Sequence, residues 1–168
     1  MVRFAVEEPD GSLQRWGLST GARIPVLGYM QGKSLRALAL ARDGAFVAAT
    51  DFELFSAPFR SEKVAATQVF SSAITCLSAI SDYIICGFAN GDLEIRDSQL
   101  GLLKRLPAQG PGAITNILYL DQSMAPLYTS PHVDARVIAV RTSQQQTHGW
   151  FIPKPVQQPW EYCPLPGA

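Results

Sequence analysis

Residues 83–106 read Tyr-Ile-Ile-Cys-Gly-Phe-Ala-Asn-Gly-Asp-Leu-Glu-Ile-Arg-Asp-Ser-Gln-Leu-Gly-Leu-Leu-Lys-Arg-Leu, and this pattern predicts three antiparallel strands. Asn90-Gly91 is the dipeptide preferred in type I′ hairpin turns, in which both central residues have positive φ. Leu93 and Ile95 alternate with polar residues, which is typical of a strand with one buried face. Gly101 precedes the third strand. Because such a small unit cannot bury its own apolar face, it requires neighbouring units.

The neighbours lie in the same chain, because the unit repeats. Residues 3–21 align with residues 83–101 without a gap, at a shift of 80 (83 − 3). The pairs that coincide are Asp10-Gly11 with Asn90-Gly91, Leu13 with Leu93, Trp16 with Arg96, and Gly21 with Gly101.

A second series of similar segments has half that period. The segments begin at Leu35, Ile74 and Ile114, at successive shifts of 39 (74 − 35) and 40 (114 − 74), and a turn follows each of them. A period of about 40 residues with four short strands per unit is typical of β-propeller blades. The sequence therefore predicts an all-β fold, a partial β-propeller of about three and a half four-stranded antiparallel blades.

The expected strands follow from the same alignment. The first blade would lack its first strand and contain Arg3–Glu7, Ser12–Trp16 and Ala22–Tyr29. The second would contain Leu35–Leu40, Phe46–Thr50, Phe52–Phe55 and Val64–Phe70. The third would contain Ile74–Ser78, Tyr83–Cys86, Asp92–Ile95 and Leu102–Leu106. The fourth would contain Ile114–Leu120, Ala125–Thr129 and Arg136–Arg141, with Gly149–Ile152 as its closing strand.

The character of the chain changes near residue 151. Residues 1–150 carry the repeats, whereas residues 151–168 contain Pro153, Pro155, Pro159, Pro164 and Pro166 and show no periodicity. We therefore expect an irregular proline-rich tail. The apolar residues at its start favour docking on the body of the protein or on a partner.

Two segments resemble the end of a WD repeat, where a strand closes on Trp-Asp and a glycine follows. They are Leu93-Glu94-Ile95-Arg96-Asp97 before Gly101, and Leu13-Gln14-Arg15-Trp16-Gly17 before Gly21. One copy keeps the tryptophan and the other keeps the aspartate, while Gly32-Lys33, Ser71-Ser72 and Pro111-Gly112 replace the Gly-His that opens a repeat. The resemblance covers residues 2–141 and implies divergent WD40 blades with an incomplete Asp–His–Ser/Thr–Trp network. It assigns structural repeat turns to Asp10, Gly11, Trp16, Gly21, Asn90, Gly91, Asp97 and Gly101.

The composition limits the classes of partner and the cellular compartment that we expect. The chain has 14 basic and 14 acidic residues without a block of like charge, so we expect no direct nucleic-acid partner. It has neither an apolar run long enough to span a bilayer nor a signal peptide, so we expect no membrane partner. The cysteines, Cys76, Cys86 and Cys163, are odd in number and have no paired spacing. An intracellular location, nuclear or cytoplasmic, is therefore expected.

The candidates for chemistry are few. Gly17-Leu18-Ser19-Thr20-Gly21 matches the nucleophile elbow of serine hydrolases, but the elbow requires a strand-to-helix turn, and the segment after it is predicted to be a strand. His132 and His148 lie in loop-like sequence without the spacing of metal ligands, so we expect surface histidines. Asp92, Glu94 and Asp97 are expected to face solvent or a neighbouring blade. We expect no catalytic residues, no cofactor and no metal.

The resemblance implies a non-catalytic protein-interaction scaffold that acts in a multiprotein complex. Because an open arc of blades leaves unpaired strands, the chain is expected to be part of a longer propeller, or another chain or segment completes the ring, or the tail caps the edges. A serine hydrolase that uses Ser19 and a propeller fragment without an independent function are the alternatives.

A second, narrower resemblance concerns the biological process in which the protein acts. Ala113-Ile114-Thr115-Asn116-Ile117, the last blade and Ile152-Pro153-Lys154-Pro155-Val156 are similar to the end of the WD-repeat subunit of a nuclear complex that matures large ribosomal subunits. That family continues into a helical tail, which this sequence lacks. The resemblance implies a role in ribosome biogenesis.

Overall fold

Four antiparallel sheets make up the computed structural model, which describes residues 3–7, 13–17, 21–24, 32–41, 45–58, 61, 63–80, 82–120, 137–152 and 158–163. Sheet A contains β1 (Arg3–Glu7), β2 (Leu13–Gly17) and β3 (Ala22–Ile24). Sheet B contains β4 (Ala37–Leu40), β5 (Ala45–Ala49), β6 (Glu53–Pro58) and β7 (Ala66–Val69). Sheet C contains β8 (Ile74–Ile80), β9 (Tyr83–Phe88), β10 (Leu93–Arg96) and β11 (Leu102–Leu106). Sheet D contains β12 (Ile114–Leu120), β13 (Val137–Thr142), β14 (Thr147–Phe151) and β15 (Glu161–Cys163).

Sheets B, C and D pack face to face in chain order, with their first strands side by side. One face of sheet C packs against sheet B, where Ile84 and Cys86 meet Val47 and Leu54. The other face packs against sheet D through a second apolar cluster. The residues of that cluster are Ile80, Ile85, Leu93, Ile95, Leu106, Ile114, Ile117, Ile138, Val140, Trp150 and Ile152. Each sheet thus shields the apolar face of its neighbour, which is why no sheet needs to be stable alone.

The strand pairing confirms the repeat between the first and third sheets. Glu7 pairs with Leu13 as Gly87 pairs with Leu93, and Arg15 pairs with Ile24 as Ile95 pairs with Lys104. The residue numbers of these partners differ by the shift that the sequence alignment predicts. Sheet A therefore repeats β9, β10 and β11 of sheet C.

The shorter of the two predicted periods is confirmed by a bulge in the first strands of sheets C and D. The register of β8 shifts between Ile74 and Cys76, and that of β12 shifts between Ile114 and Asn116. The bulged residue is a threonine in both strands, and its hydroxyl donates to a carbonyl of the neighbouring strand. The aligned sequences thus fold into the same local structure.

The prediction of a type I′ turn at Asn90-Gly91 is wrong. Gly91 has a φ of 87°, but Asn90 is not among the residues with positive φ. The N–H of Gly91 donates to the Phe88 carbonyl, and the N–H of Phe88 donates to the Asp92 carbonyl, both at 3.1 Å. This is a type I turn followed by a left-handed residue, a common three-residue hairpin loop. Leu100 and Gln145 occupy the left-handed position in two further turns of this kind.

The expectation of a single buried face on the strand at residues 93–96 is also wrong. All four residues of β10 are buried, including Glu94 and Arg96, which are 3% and 6% exposed. The polar residues of this strand lie on the face that packs against sheet B. The alternation is real, but both faces are covered.

Sheet D departs from the expected strand order. Gly149–Ile152 was expected to close the sheet, but β14 is its third strand, and β15 pairs with β14 and closes it. The expected strand Ala125–Thr129 lies outside the described residues. Since β15 belongs to the segment predicted as a proline-rich tail, part of that segment extends the sheet. Trp160 beside it packs against the cluster between sheets C and D.

Candidate functional site

One end of sheets B, C and D gathers the turns that connect the second strand of each sheet to the third. We call this end the turn rim, and it consists of residues 50–53, 88–92 and 142–146 with the connectors 70–73 and 107–113. The turns share one end because every sheet is an antiparallel meander with the same strand order. The rim is therefore a continuous row of hairpin tips.

Backbone hydrogen bonds hold the turn of sheet B against sheet C. The N–H of Ile74 donates to the Asp51 carbonyl at 2.6 Å, and the N–H of Phe70 donates to the Phe52 carbonyl at 2.9 Å. The hydroxyl of Thr50 accepts the N–H of Glu53 at 3.1 Å. These bonds fix residues 50–53 in place, so the groups that this turn presents have a defined orientation.

The turns of sheets C and D are fixed by their connectors. The N–H of Ala108 donates to the Asp92 carboxylate at 3.0 Å, and the N–H of Ser143 donates to the Ala113 carbonyl at 2.8 Å. Gly91 and Gly112 allow this packing, since a Cβ on Gly91 would lie 3.0 Å from the Gly112 carbonyl oxygen. A side chain there would push the connector away from the turn.

Among the described residues of the rim, the exposed large hydrophobic side chain belongs to sheet B. Phe52 is 49% exposed at the tip of the β5–β6 turn. Beside it, Arg36 forms an exposed ion pair with Asp51, and the hydrogen bond to Asp51, followed by its charge, raises the pKa of Arg36. Lys33 pairs with Glu53 at 2.6 Å. An aromatic ring flanked by paired charges is typical of protein-binding surfaces.

The face of sheet C that packs against sheet B contains a buried ionic network. Arg96 binds the Glu94 carboxylate through Nε at 3.0 Å and Nη2 at 2.5 Å, and it donates to the Leu100 carbonyl through Nη1 at 2.5 Å. Arg105 binds the other carboxylate oxygen at 2.9 Å. The Arg96 guanidinium lies 4.8 Å from the ring centroid of Phe70, which belongs to the connector of sheet B. The network therefore links β10, the turn after it and sheet B.

The structure separates the predicted repeat-turn residues instead of gathering them into one site. Asn90 and Gly91 lie on the turn rim, whereas Asp97 and Gly101 lie in the turn at the opposite end of sheet C. Asp97 accepts the N–H groups of Gln99 at 2.9 Å and Gly101 at 2.7 Å, so it shapes that turn. Gly21 precedes β3, and Trp16 lies in β2, where its backbone pairs with Phe4 and Arg23. Asp10 and Gly11 lie outside the described residues.

Within the described residues, the candidates for chemistry are not gathered at one place. Gly21 leads into β3, which pairs with β2, so the chain forms a hairpin there and not the strand-to-helix turn of a hydrolase elbow. Ser19 and His132 lie outside the described residues. The prediction of His148 as a surface loop residue is wrong, because it lies half-buried in β14 with its Nδ1 3.2 Å from the Tyr162 hydroxyl.

Of the two thiols of sheet C, that of Cys86 is buried and that of Cys76 is half-buried. Desolvation by burial raises the pKa of Cys86 to about 12 and that of Cys76 to about 11. No group of three or more potential metal ligands occurs in the part of the chain that the structure describes. The same part contains no helix long and apolar enough to cross a membrane.

Sequence reasoning missed the residues that dominate the rim. Phe52 was expected inside a strand, and Arg36 had no assigned role. The signal was available in Thr50-Asp51-Phe52-Glu53, where an aromatic residue stands between two acidic ones at a short turn. A hairpin tip has too few neighbouring side chains to bury such a residue.

Successive meanders, with the first strands of sheets B, C and D adjacent, decide the architecture. The fold is a partial β-propeller. Its crystallised counterparts include Sqt1 from Saccharomyces cerevisiae (TM-score 0.68, 12% identity, 89% of this chain and 40% of that one). The WD40 domain of SCAP from fission yeast has a TM-score of 0.65 at 17% identity and covers 96% of this chain and 38% of that one. The computationally designed Ika4 protein has a TM-score of 0.64 at 16% identity and covers 89% and 84%.

These matches also show how much of a natural propeller the chain corresponds to. The chain spans about 40% of the length of Sqt1 and of the SCAP WD40 domain. No known protein family and no curated protein matches the sequence. The predicted all-β fold and partial propeller are therefore confirmed by three-dimensional likeness alone, at identities that show the fold and not a shared activity.

Proposed function

We propose that the protein is a non-catalytic, WD-repeat type interaction scaffold that binds partner proteins through its turn rim. The observation that carries the proposal is the exposed ring of Phe52 on a turn that backbone hydrogen bonds hold in place. A partner that covers this ring gains apolar contact without having to order a flexible loop. The adjacent Arg36 and Lys33 ion pairs supply a polar surround.

The proposal also agrees with how propellers supply function. The fold is shared by proteins of many functions, so the function of each is set by the groups that its surface presents. In sheet B these groups are one aromatic ring and two ion pairs, and none of them forms a nucleophile with a neighbouring base. A binding role fits this arrangement better than acyl transfer by Ser19.

Phe52→Ala tests the proposal, with Leu102→Ala as a matched control. Leu102 is 53% exposed on β11 and lies toward the opposite end of its sheet, so the two variants remove similar exposed apolar area at different places. We expect Phe52→Ala to weaken binding of rim partners at least tenfold, since a buried aromatic anchor contributes about 2 kcal/mol or more. Quantitative affinity capture from cells, followed by titration of each retained partner, measures the effect.

The expected pattern is loss of a defined set of partners in Phe52→Ala and their retention in Leu102→Ala. Unfolding is checked by circular dichroism, and both variants should fold because both side chains are exposed. Equal capture by all three proteins would contradict the proposal. An esterase activity that disappears in Ser19→Ala would support the hydrolase alternative instead.

The narrower proposal places the scaffold in the nucleus, in a complex that matures large ribosomal subunits. It is supported by the resemblance of residues 113–117 and 152–156 to the end of the WD-repeat subunit of such a complex. Fluorescence imaging of the tagged chain and its sedimentation with large-subunit precursors test it. A chain excluded from the nucleus, or one that sediments without these precursors, would contradict it.

A further inference from the structure

The hairpin tip of sheet C contains an asparagine in a chemically labile sequence. In Asn90-Gly91, the glycine has no side chain to hinder attack by its own backbone nitrogen on the asparagine side chain. The only other asparagine of the sequence, Asn116, precedes the β-branched Ile117, which obstructs the same attack. Asn90 is exposed on the turn rim. The two asparagines therefore differ in intrinsic reactivity.

The reaction at such a site is the loss of the side-chain amide as ammonia. The Gly91 nitrogen, after its proton has passed to a base in the solvent, attacks Cγ of Asn90 and forms a succinimide ring. The Cγ–Nδ2 bond breaks, and the leaving nitrogen takes up a proton. Water then opens the ring, at Cγ to give aspartate or at the backbone carbonyl carbon to give isoaspartate. In the net change, an amide and water become a carboxylate and an ammonium ion.

Both reacting groups are engaged in the folded protein. The N–H of Gly91 donates to the Phe88 carbonyl at 3.1 Å, and Gly91 is buried against the connector 107–113. The Asn90 side chain donates through Nδ2 to the Asp92 carboxylate at 3.0 Å, and its Oδ1 accepts the N–H of Asp92 at 3.1 Å. We call these last two bonds the Asp92 clamp. Because a reaction requires its two atoms about 3–3.5 Å apart and aligned, these bonds must break before the ring can form.

The Asp92 carboxylate also connects the turn to the connector. One of its oxygens accepts the Asn90 amide, and the other accepts the N–H of Ala108 at 3.0 Å. In the aspartate product, a carboxylate oxygen takes the place of Nδ2. Ionised carboxylates accept hydrogen bonds but do not donate them, so this bond would be lost and two like charges would lie close together. The repulsion would act on the group that holds Ala108.

We propose that Asn90 is a site of spontaneous deamidation, that the Asp92 clamp slows the reaction, and that conversion detaches the connector at Ala108 from the turn. The reaction proceeds when the turn opens locally. The loss of ammonia makes it irreversible, so the converted fraction increases with the time that the turn has spent open. The proposal does not rest on partner binding at Phe52, and its test uses no partner.

The first test compares the folded chain with the same chain unfolded in urea, at one pH and temperature. Trypsin releases Asn90 within residues 64–96 and Asn116 within residues 106–136, so mass spectrometry follows both asparagines. We expect Asn90 to deamidate at least tenfold more slowly in the folded chain, because the reaction must wait for local opening. Asn116 is the internal control and should show no conversion in either sample over the same period.

The second test removes the clamp. In folded Asp92→Ala, the Asn90 side chain loses the carboxylate that holds its amide, so its deamidation should accelerate at least threefold. Asp82→Ala is the matched control. It removes an exposed carboxylate from the turn between β8 and β9, at the opposite end of β9, and it should leave the rate unchanged.

The third test concerns the consequence of conversion. Asn90→Asp reproduces the aspartate product, whereas Asn90→Ala removes the same amide without adding a charge. By NMR at neutral pH, hydrogen exchange of the Ala108 amide should be about tenfold faster in Asn90→Asp than in Asn90→Ala, because of the repulsion between the two carboxylates. The difference should shrink in 1 M salt, which screens exposed charges.

Four results would overturn the proposal. They are no conversion of Asn90 in urea, equal rates in the folded and unfolded chains, an unchanged rate in Asp92→Ala, and equal Ala108 exchange in the two variants of Asn90. If Asp92→Ala fails to fold by circular dichroism, the unaltered chain and the variants of Asn90 decide. Phe52→Ala should deamidate as the unaltered protein does, so a failure of the partner-binding proposal is visible separately.

Discussion

Sheets C and D have the same strand order and the same bulge, but their surroundings differ. Sheet C is packed on both faces, whereas the face of sheet D that points away from sheet C leaves Leu118 55% exposed. At corresponding positions of the second strands, sheet C has Gly87 and sheet D has Arg141. A Cβ on Gly87 would lie 2.7 Å from Ile114 of sheet D, whereas Arg141 is exposed.

In sheet B, a small residue also occupies the position that corresponds to Gly87. Ala49, which pairs with Ala37 as Gly87 pairs with Cys76, is fully buried and packs in one cluster with Ile74 of sheet C. A small residue thus stands at this position wherever a following sheet inserts an isoleucine. The comparison teaches that the covering sheet, and not the strand itself, determines the size of the residue there.

The largest effect is expected from Glu94→Leu, which acts on the face of sheet C that sheet B covers. The change removes the carboxylate and leaves the buried Arg96 guanidinium without its partner. We expect a loss of about 3–5 kcal/mol in the free energy of unfolding, measured by urea denaturation. Glu94→Leu combined with Arg96→Met should recover most of this loss, while Arg105→Ala should cost less than about 1 kcal/mol because Arg105 is largely exposed. A small effect of Glu94→Leu would show that sheet B does not seal this face.

Gly87→Val compared with Arg141→Val tests the difference between the two sheets directly. At position 87 the new side chain must displace Cys76 or Ile114, so we expect a loss of about 2 kcal/mol or more in the free energy of unfolding. At position 141 the same residue lies on an exposed face, so the change should stay within about 0.5 kcal/mol. Urea denaturation of both variants measures it. Equal losses would mean that the two faces are not distinguished by packing.

The buried thiol of Cys86 should make the free energy of unfolding depend on pH. Burial raises its pKa from 9.0 to about 12, so the protonated form favours the folded state. The stabilisation is complete below pH 9 and is lost as the pH rises from about 9 toward 12, because the unfolded chain then releases a proton that the folded chain retains. At pH 10 the loss should be about 1 kcal/mol relative to Cys86→Ala, which has no thiol to titrate there. If the free energies of unfolding of the two proteins changed equally between pH 8 and 10, the burial of this thiol would be contradicted.

Leu118→Thr should have the smallest effect. Leu118 lies on the exposed face of sheet D, and threonine suits a strand, so the free energy of unfolding should change by less than about 0.5 kcal/mol. Ile117→Thr, one residue earlier and facing sheet C, should cost more than about 1 kcal/mol by the same measurement. A large effect at Leu118 would show that this face is covered in solution.

Much of the fold could be predicted from the sequence because the repeats are recognisable from patterns of residues that are close together in the chain. The alternation at Leu93 and Ile95 and the spacing of Ile74 and Ile114 depend only on neighbours along the chain. The burial of Glu94 and Arg96 could not be predicted in the same way, because Phe70, which covers Arg96, belongs to another sheet.

Two further features are decided by tertiary contacts. Leu100 adopts a φ of 65° although it is not a glycine, and its burial and the hydrogen bond from Arg96 to its carbonyl hold it there. β15 has three residues among prolines, too few for a periodic signal, and it is specified by pairing with β14. The rim residue Phe52 was missed because an isolated aromatic at a turn resembles a strand residue in sequence.

The small residues at 49 and 87 have a geometric consequence for the arc as a whole. They lie where the first strands of successive sheets come together, so their volume sets how closely the sheets approach near the axis. An added methyl group there widens the inner spacing while the outer strands keep theirs, which reduces the angle between sheets. We therefore expect the curvature of the arc, and with it the number of sheets that would complete a circle, to change when one carbon atom is added at either position.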